Sequence, residues 1–290
     1  MTWQRLITGA VLIPVVVALV WWGPVELVAL LALVMMVLAL REFFVIAEQA
    51  GLRAYRTWTL LSSAGILFAQ WAAVQNRNWA LPSDLRLTRL SPATSVSVEL
   101  VLIVFVFGLA LSVFAAASSL KTALGDIGAS ATAMLLISLP LSSIVRIDGV
   151  PVIGKTLLLF TLILVWAGDT LAYFVGKYLG RWRMAPQLSG KKTWEGAAAN
   201  LAGSLIVGGL FAGPLHMEPL QCLLMAGLAN VAGQIGDLLE SAYKRSAGVK
   251  DSGTLLPGHG GMLDRIDALI LAAPVVWYYF NLFVSPLKQL

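Results

Sequence analysis

Five charged residues, one histidine and four glycines crowd into KDSGTLLPGHGGMLDRID, Lys250 to Asp267. Asp264 and Asp267 are three apart, so on a helix they share a face, with Arg265 between them. Pro257, Gly258, Gly260 and Gly261 form a loop just ahead of that helix. Glycine lets backbone N–H groups approach a ligand closely, and a helix start favours anions. A third carboxylate, Asp237, is available upstream. Such a hard-oxygen set suits Mg²⁺, which commonly takes one or two carboxylates together with substrate phosphates. Zinc would ask for histidine and cysteine ligands, and the chain has only His216, His259 and Cys222. His259 is read as a ligand contact or a loop scaffold, and His216 as a residue of a tight turn.

A second polar block, SGKKTWEG, runs from Ser189 to Gly196. Its lysines and hydroxyls suit phosphate, although it lacks the glycine spacing of a P-loop. Thr193 also fits a helix N-cap, with Glu195 one position short of a capping box. Two apolar stretches carry polar stripes toward these loops. Asn230, Gln234, Asp237, Ser241 and Lys244 are spaced four, three, four and three, which places them on one helical face, with Glu240 just off it. Asp169, Tyr173 and Lys177 repeat the pattern at intervals of four. Inter-helix hydrogen bonding would account for Asn230, Gln234 and Tyr173 as well as function does. Aspartates at membrane depth are costly, so Asp169 and Asp237 point to a site. Gly168, Gly176, Gly233 and Gly236 allow neighbouring helices to approach. Together these residues argue for membrane-embedded, Mg²⁺-dependent phosphate chemistry on a substrate with a hydrophobic body, and they select no nucleotide.

The elements that must position these groups are written in the composition. The chain has 290 residues, of which 59% are hydrophobic and 12% charged. Soluble domains carry about 25% charged residues. The expected fold class is an all-α polytopic integral membrane protein of about nine transmembrane helices, near 4–22, 25–47, 58–75, 97–119, 127–146, 155–178, 197–213, 219–242 and 267–285. The fifth is the weakest, diluted by Ser130, Thr132, Ser138 and Pro140. The start, MTWQRLITGAVLIPVVVALVWWG, reads as a retained first helix with an aromatic belt rather than a cleaved signal peptide. A single membrane domain is expected, with N-terminal helices over 1–150 and a catalytic region over 151–290 holding two active-site loops, 179–196 and 243–266.

Those loops lie two helices apart, hence on one side. With Arg5, Arg41, Arg53, Arg56, Lys121 and Lys177 that side holds 14 basic residues against six, which makes it cytoplasmic by the positive-inside rule. Nine of the 14 lie between Lys177 and Arg265, so orientation and chemistry draw on the same residues. The net charge of +5 fits topology and anionic lipid. Nucleic acid is excluded as a partner, because no basic, aromatic-interleaved domain exists. Cys222, the lone cysteine, packs.

The stretch SAYKRSAGVKDSGTLLPGHGGMLDRID, Ser241 to Asp267, resembles the signature of the phosphatidate cytidylyltransferases, or CDP-diacylglycerol synthases. Tyr243 departs from it, standing where an aliphatic residue or phenylalanine is usual. WAGDTLAYFVGKYLGR and LSGKKTWEG are similar to the family's upstream blocks, with Gly190 in place of a proline. The likeness covers residues 160–285. It implies transfer of a cytidylyl group from CTP to phosphatidate, giving CDP-diacylglycerol and pyrophosphate. Asp237, Asp264 and Asp267 would hold Mg²⁺, with or without a second cation. Lys244, Arg245, Lys250, Asp251, Arg265 and His259 would be catalytic. Ser189, Lys191, Lys192, Thr193, Ser241, Gly260, Gly261 and Asp169 would bind substrate. The family further implies a homodimer in the inner (plasma) membrane with its site facing the cytoplasm. The rivals are a CTP-dependent polyprenol-type lipid kinase and an anion or ion transporter; the latter predicts inverted repeats, and none is visible.

Overall fold

The computed structural model describes residues 13–78, 96–115, 121–253 and 260–284. Thr254 to His259 lie outside the described residues, so His259 does too. In chain order the helices are α1 (Ile13–Trp22), α2 (Val25–Gln49), α3 (Arg56–Asn78), α4 (Val98–Ala115), α5 (Ala123–Asp148), α6 (Gly154–Tyr178), α7 (Trp194–Phe211), α8 (Pro219–Ser246) and α9 (Leu263–Val284). The protein is an all-α multi-pass membrane protein. Among the described residues six helices, α2, α4, α5, α6, α8 and α9, are long and apolar enough to cross a bilayer. α3 and α7 reach 23 and 18 residues but are less apolar. α3 carries Arg56, Ser62, Ser63, Gln70 and Gln75, and α7 is rich in glycine and alanine around Asn200.

The spanning helices are largely apolar, and their side chains are sorted by what they meet. On α2, Met36, Leu40, Phe43 and Ala47 recur at helical spacing and are buried, while Leu30, Val34 and Val45 on the other side are exposed. Exposed leucine and valine in that arrangement face lipid, where burial between helices brings packing rather than a hydrophobic gain. α5 reads weakly as a span because its polar residues bind neighbours. Ser130 Oγ accepts from the Tyr55 amide at 2.8 Å, Ser138 Oγ lies 2.8 Å from Ser63 Oγ, and Gln70 Nε2 donates to Ser142 Oγ at 3.3 Å. Pro140 removes one N–H and crowds the turn before it, and the helix widens to π geometry over Ala133–Ser138 to accommodate it.

The most extensive packing joins α6 to α7, and α8 to α9 and α7. Glycine makes it possible. A Cβ on Gly236 of α8 would come within 2.5 Å of the Asp267 carbonyl oxygen on α9. The connection 179–196, read from sequence as a loop, folds partly as a hairpin. Strand β1 (Arg183–Ala185) pairs antiparallel with β2 (Ser189–Thr193), with Arg183 opposite Thr193. The C-terminal ends of α2, α6 and α8 and the start of α9 gather at the hairpin's end of the bundle. At the opposite end Lys155 reaches Asp148 at 2.9 Å and donates to the Gly23 carbonyl at 2.7 Å.

Candidate active site

The hairpin roofs a cavity of about 660 Å³. Asp169, Asn200, Gln234 and Asp237 line it from α6, α7 and α8, and Lys177, Arg183, Lys191 and Lys192 line it from the end of α6 and the hairpin. One wall is therefore acidic and amide-rich and the other cationic. The amides belong to a buried chain. Asn200 Nδ2 donates to Asp169 Oδ1 at 3.2 Å, Asn230 Nδ2 to Asn200 Oδ1 at 2.5 Å and to Ser204 Oγ at 2.7 Å, and Gln234 Nε2 to Asn230 Oδ1 at 2.7 Å. Buried amides need such partners, so Asn230 and Gln234 bind α7 to α8. Gly168 leaves room for Asn200, whose Oδ1 a Cβ there would overlap.

Thr193 caps α7 as expected, accepting from the Gly196 amide at 3.1 Å. Glu195 accepts from the backbone N–H groups of Arg181 and Trp182 at 3.1 and 3.2 Å, fastening the hairpin's entry strand. Backbone hydrogen bonds, its own first and then these two, hold its carboxyl below the ordinary range. Ser189 lies half-buried in β2 and Lys191 is exposed on it. Lys192 points inward, 2.7 Å from Asp237.

Asp237 is shared. Beyond the cavity, its carboxylate converges with those of Glu240 and Asp267, with one oxygen from each within 4.8 Å of the others. Both Glu240 oxygens are buried with no aligned hydrogen-bond donor, although Lys244 Nζ lies 2.5 Å from one of them. The three convergent carboxylates form an acidic cluster able to hold a metal ion, and an all-oxygen donor set fits a hard divalent cation. Asp264, expected beside Asp237 and Asp267, is not among the three. It pairs with Lys244 at 2.6 Å and accepts from the amides of Ser252 and Gly261 at 3.0 and 2.8 Å.

The glycine-rich approach to α9 was expected to offer amides to phosphate. Carboxylates of the chain itself occupy three of them: Asp264 takes the Gly261 amide, and Glu42 takes those of Met262 and Leu263. Gly260 adopts φ +80, and a Cβ there would sit 2.6 Å from Asp264 Oδ2. Arg245 is occupied as well. Its Nε donates to the Leu188 carbonyl at 3.1 Å and its Nη1 to the Val249 carbonyl at 2.8 Å, joining the hairpin to the turn after α8. Lys250, Asp251 and Arg265 are exposed, and Ser241 is buried.

Two residues escaped the sequence reading. Glu240 stands on the edge of the polar stripe, three residues from Asp237 and four from Lys244, and that spacing alone was a signal. Glu42 is an acidic residue inside an apolar helix, which by itself marks a site worth examining.

The family profile described as "Cytidylyltransferase family" matches residues 3–283. The chain is 45% identical over 138 residues to a phosphatidate cytidylyltransferase of Brucella abortus (strain 2308), covering 46% of this chain and 50% of that one. It is 36% identical over 160 residues to the phosphatidate cytidylyltransferase of Bacillus subtilis, covering 54% and 60%. It is 41% identical over 139 residues to that of Haemophilus influenzae, covering 45% and 47%. In these alignments the chain spans about half the length of the curated relatives it matches. The profile match covers nearly the whole chain, and the chain belongs to the cytidylyltransferase family.

Proposed function

We propose that the protein transfers a cytidylyl group from CTP to phosphatidate, yielding CDP-diacylglycerol and pyrophosphate. The observation that carries this reading is the position of Asp237: it lines the cavity, pairs with a hairpin lysine, and belongs to the acidic cluster. A nucleotide triphosphate bound between hairpin and helices would have cations on one side and the cluster on the other. The exposed apolar side chains of α6, among them Leu171 and Phe174, give a diacyl body lipid contact beside the cavity.

Lys191 and Lys192 draw in the triphosphate, with Ser189 and Thr193 as hydroxyl donors. Thr193 accepts its capping bond through oxygen, so its proton stays available to a phosphate. An oxygen of the lipid phosphate attacks the α-phosphorus of CTP. The new P–O bond forms as the bond from the α-phosphorus to the bridging oxygen breaks, and pyrophosphate leaves with that electron pair. No covalent enzyme intermediate is needed, and the chain contributes positioning and charge. Lys244, Lys250 and Arg265 serve the anionic groups, Asp251 orients Lys250, and Ser241 donates to phosphate. Arg245 joins the hairpin to the turn beyond α8, and Gly260 and Gly261 give Asp264 the space it occupies. Asp169 faces the nucleotide, and His259 contacts ligand or supports its loop. Asp237, Glu240 and Asp267 would hold Mg²⁺, with Asp264 at the margin through Lys244; when bound, the ion neutralises triphosphate charge and makes the α-phosphorus more electrophilic. The resemblance also supports a homodimer in the inner membrane.

Purified protein with phosphatidate, CTP and Mg²⁺ is expected to form CDP-diacylglycerol and pyrophosphate in equal amounts. Release of CDP in place of pyrophosphate would make the protein a lipid kinase, and no turnover would end the proposal. Lys191→Ala should raise KM for CTP on the order of tenfold, the worth of one charge-assisted hydrogen bond, with a smaller effect on kcat. A cysteine replacing exposed Gln187, at the hairpin turn, should react with an impermeant maleimide only from the cytoplasmic side in oriented vesicles. Labelling from the outside would reverse the orientation.

A further inference from the structure

Helix α9 starts without a cap of its own. Its N-cap is Met262, which offers no side-chain oxygen, and the first amides of a helix have no partner within it. The missing acceptor comes from α2. Glu42 Oε1 accepts from the Met262 amide at 2.8 Å, and Oε2 accepts from the Leu263 amide at 2.9 Å and the Ser252 hydroxyl at 2.7 Å. These partners lie 210 to 221 positions away along the chain. A carboxylate at a helix start is favoured by the dipole as well as by the hydrogen bonds. The fit is tight: a Cβ on Gly253 would lie 2.9 Å from Glu42 Oε1, and one on Gly261 would overlap Glu42 Oε2 and Ser252 Oγ. The next residue, Phe43, packs edge-on against Tyr243 with ring centroids 5.4 Å apart. Two successive residues of α2 thus grip the region that bears the chemistry.

From Glu42 the contacts lead inward. Ser252, whose hydroxyl Glu42 holds, donates its amide to Asp264 Oδ2, as does Gly261. Asp264 Oδ1 holds Lys244, and Lys244 lies 2.5 Å from Glu240 of the acidic cluster. Each link is a charge-assisted bond or an ion pair between groups with little freedom to move.

We propose that Glu42 is a positioning residue for the reaction: it touches no substrate and sets the start of α9 and the bend at Ser252, so that Asp264, Lys244 and Glu240 stand where the acidic cluster needs them. This rests on the cytidylyl-transfer reading above. The N-terminal helices then act on turnover through one carboxylate, besides anchoring the protein in lipid.

The test uses full-length protein in bilayer discs. Glu42→Gln keeps the shape and turns one acceptor into an amino group facing N–H donors. It is expected to lower kcat on the order of 10- to 100-fold, the cost of a small misplacement of reacting groups. KM for CTP should stay within about threefold, because that figure reads binding rather than alignment. The Mg²⁺ concentration for half-maximal activity should rise by about tenfold or more. Hydrogen exchange at the Met262 and Leu263 amides should quicken as their acceptor is lost. Glu42→Asp, which keeps the charge, should recover part of kcat and of the Mg²⁺ response. An unchanged kcat and Mg²⁺ response in Glu42→Gln would overturn the proposal, even if thermal stability fell, since a purely structural tie would do only that. So would a lower kcat with unaltered exchange at those two amides. If Glu42→Gln does not fold, Ser252→Ala removes one hydroxyl alone and should move kcat and the Mg²⁺ midpoint in the same direction, about threefold; no change in either would equally refute it. Wild-type protein that makes no CDP-diacylglycerol would instead refute the proposed reaction, while the exchange measurement still reports on the tie.

Discussion

Asp267→Asn should yield a folded protein whose kcat falls by about 10³-fold or more, because several kcal/mol of charge stabilisation rest on the cluster it belongs to. The substitution preserves shape and the hydrogen bond from the Ala268 amide to Oδ1 at 2.8 Å. It removes one of three carboxylates whose oxygens gather within 4.8 Å. Like charges at that range repel, most of all away from water. Without divalent cation the variant should therefore be as stable as the wild type or more so. With Mg²⁺ the order should reverse, since ligand binding stabilises only the form that binds. Melting curves with chelator and with Mg²⁺, alongside turnover, check both signs. Retained activity with unchanged Mg²⁺ dependence would remove Asp267 from the site. Lower stability in chelator would mean that the three charges are not repelling one another.

The same cluster marks how far the sequence could be read. The polar stripe on α8 was legible because helical spacing is regular, and Asp237 and Lys244 both fell on it. Glu240 lies at the stripe's edge, toward α9, and only the close approach across Gly236 brings Asp267 up to it. That approach is a property of two helices packed together, which no single-helix pattern contains. Asp264 and Asp267 were correctly expected on one helix, yet they turn to different partners. Asp267 meets α8 carboxylates, and Asp264 meets Lys244 and two loop amides. Spacing assigns a face and does not assign a neighbour. α5 illustrates the opposite failure: its serines lowered its apparent apolarity, and they are spent on hydrogen bonds to α3 and its approach. Glu42 stands out in the sequence as an acidic residue inside an apolar helix, but its partners lie more than 200 positions away, so its role was beyond reach. Tyr243, the one departure from the family signature, gains a reason only when Phe43 is seen against its ring.

Lys244→Met should be the most destabilising of these single changes. The lysine lies 2.6 Å from Asp264 and 2.5 Å from Glu240, with side chains 12%, 10% and 4% exposed. Removing the cation that lies between these two carboxylates leaves two largely buried charges uncompensated, a loss of about 3–5 kcal/mol by comparison with other broken buried pairs. The two effects of the lysine, holding carboxylates and serving phosphate, separate in a second variant. Lys244→Met with Asp264→Asn deletes one orphaned charge and should return a large part of the stability, measured by thermal unfolding in the same bilayer discs. Turnover should not return with it, because a neutral side chain at 244 supplies no charge to a developing anion. Recovery of both would assign Lys244 to structure alone and shift the phosphate contacts onto Lys191, Lys192 and Arg265. Recovery of neither would mean that Glu240, which the double variant leaves without Lys244, dominates the balance; a further Glu240→Gln change should then restore folding and leave the protein inactive. The polar island around Asp264 is in this sense one electrostatic unit, in which each largely buried charge is tolerated because its neighbour is present.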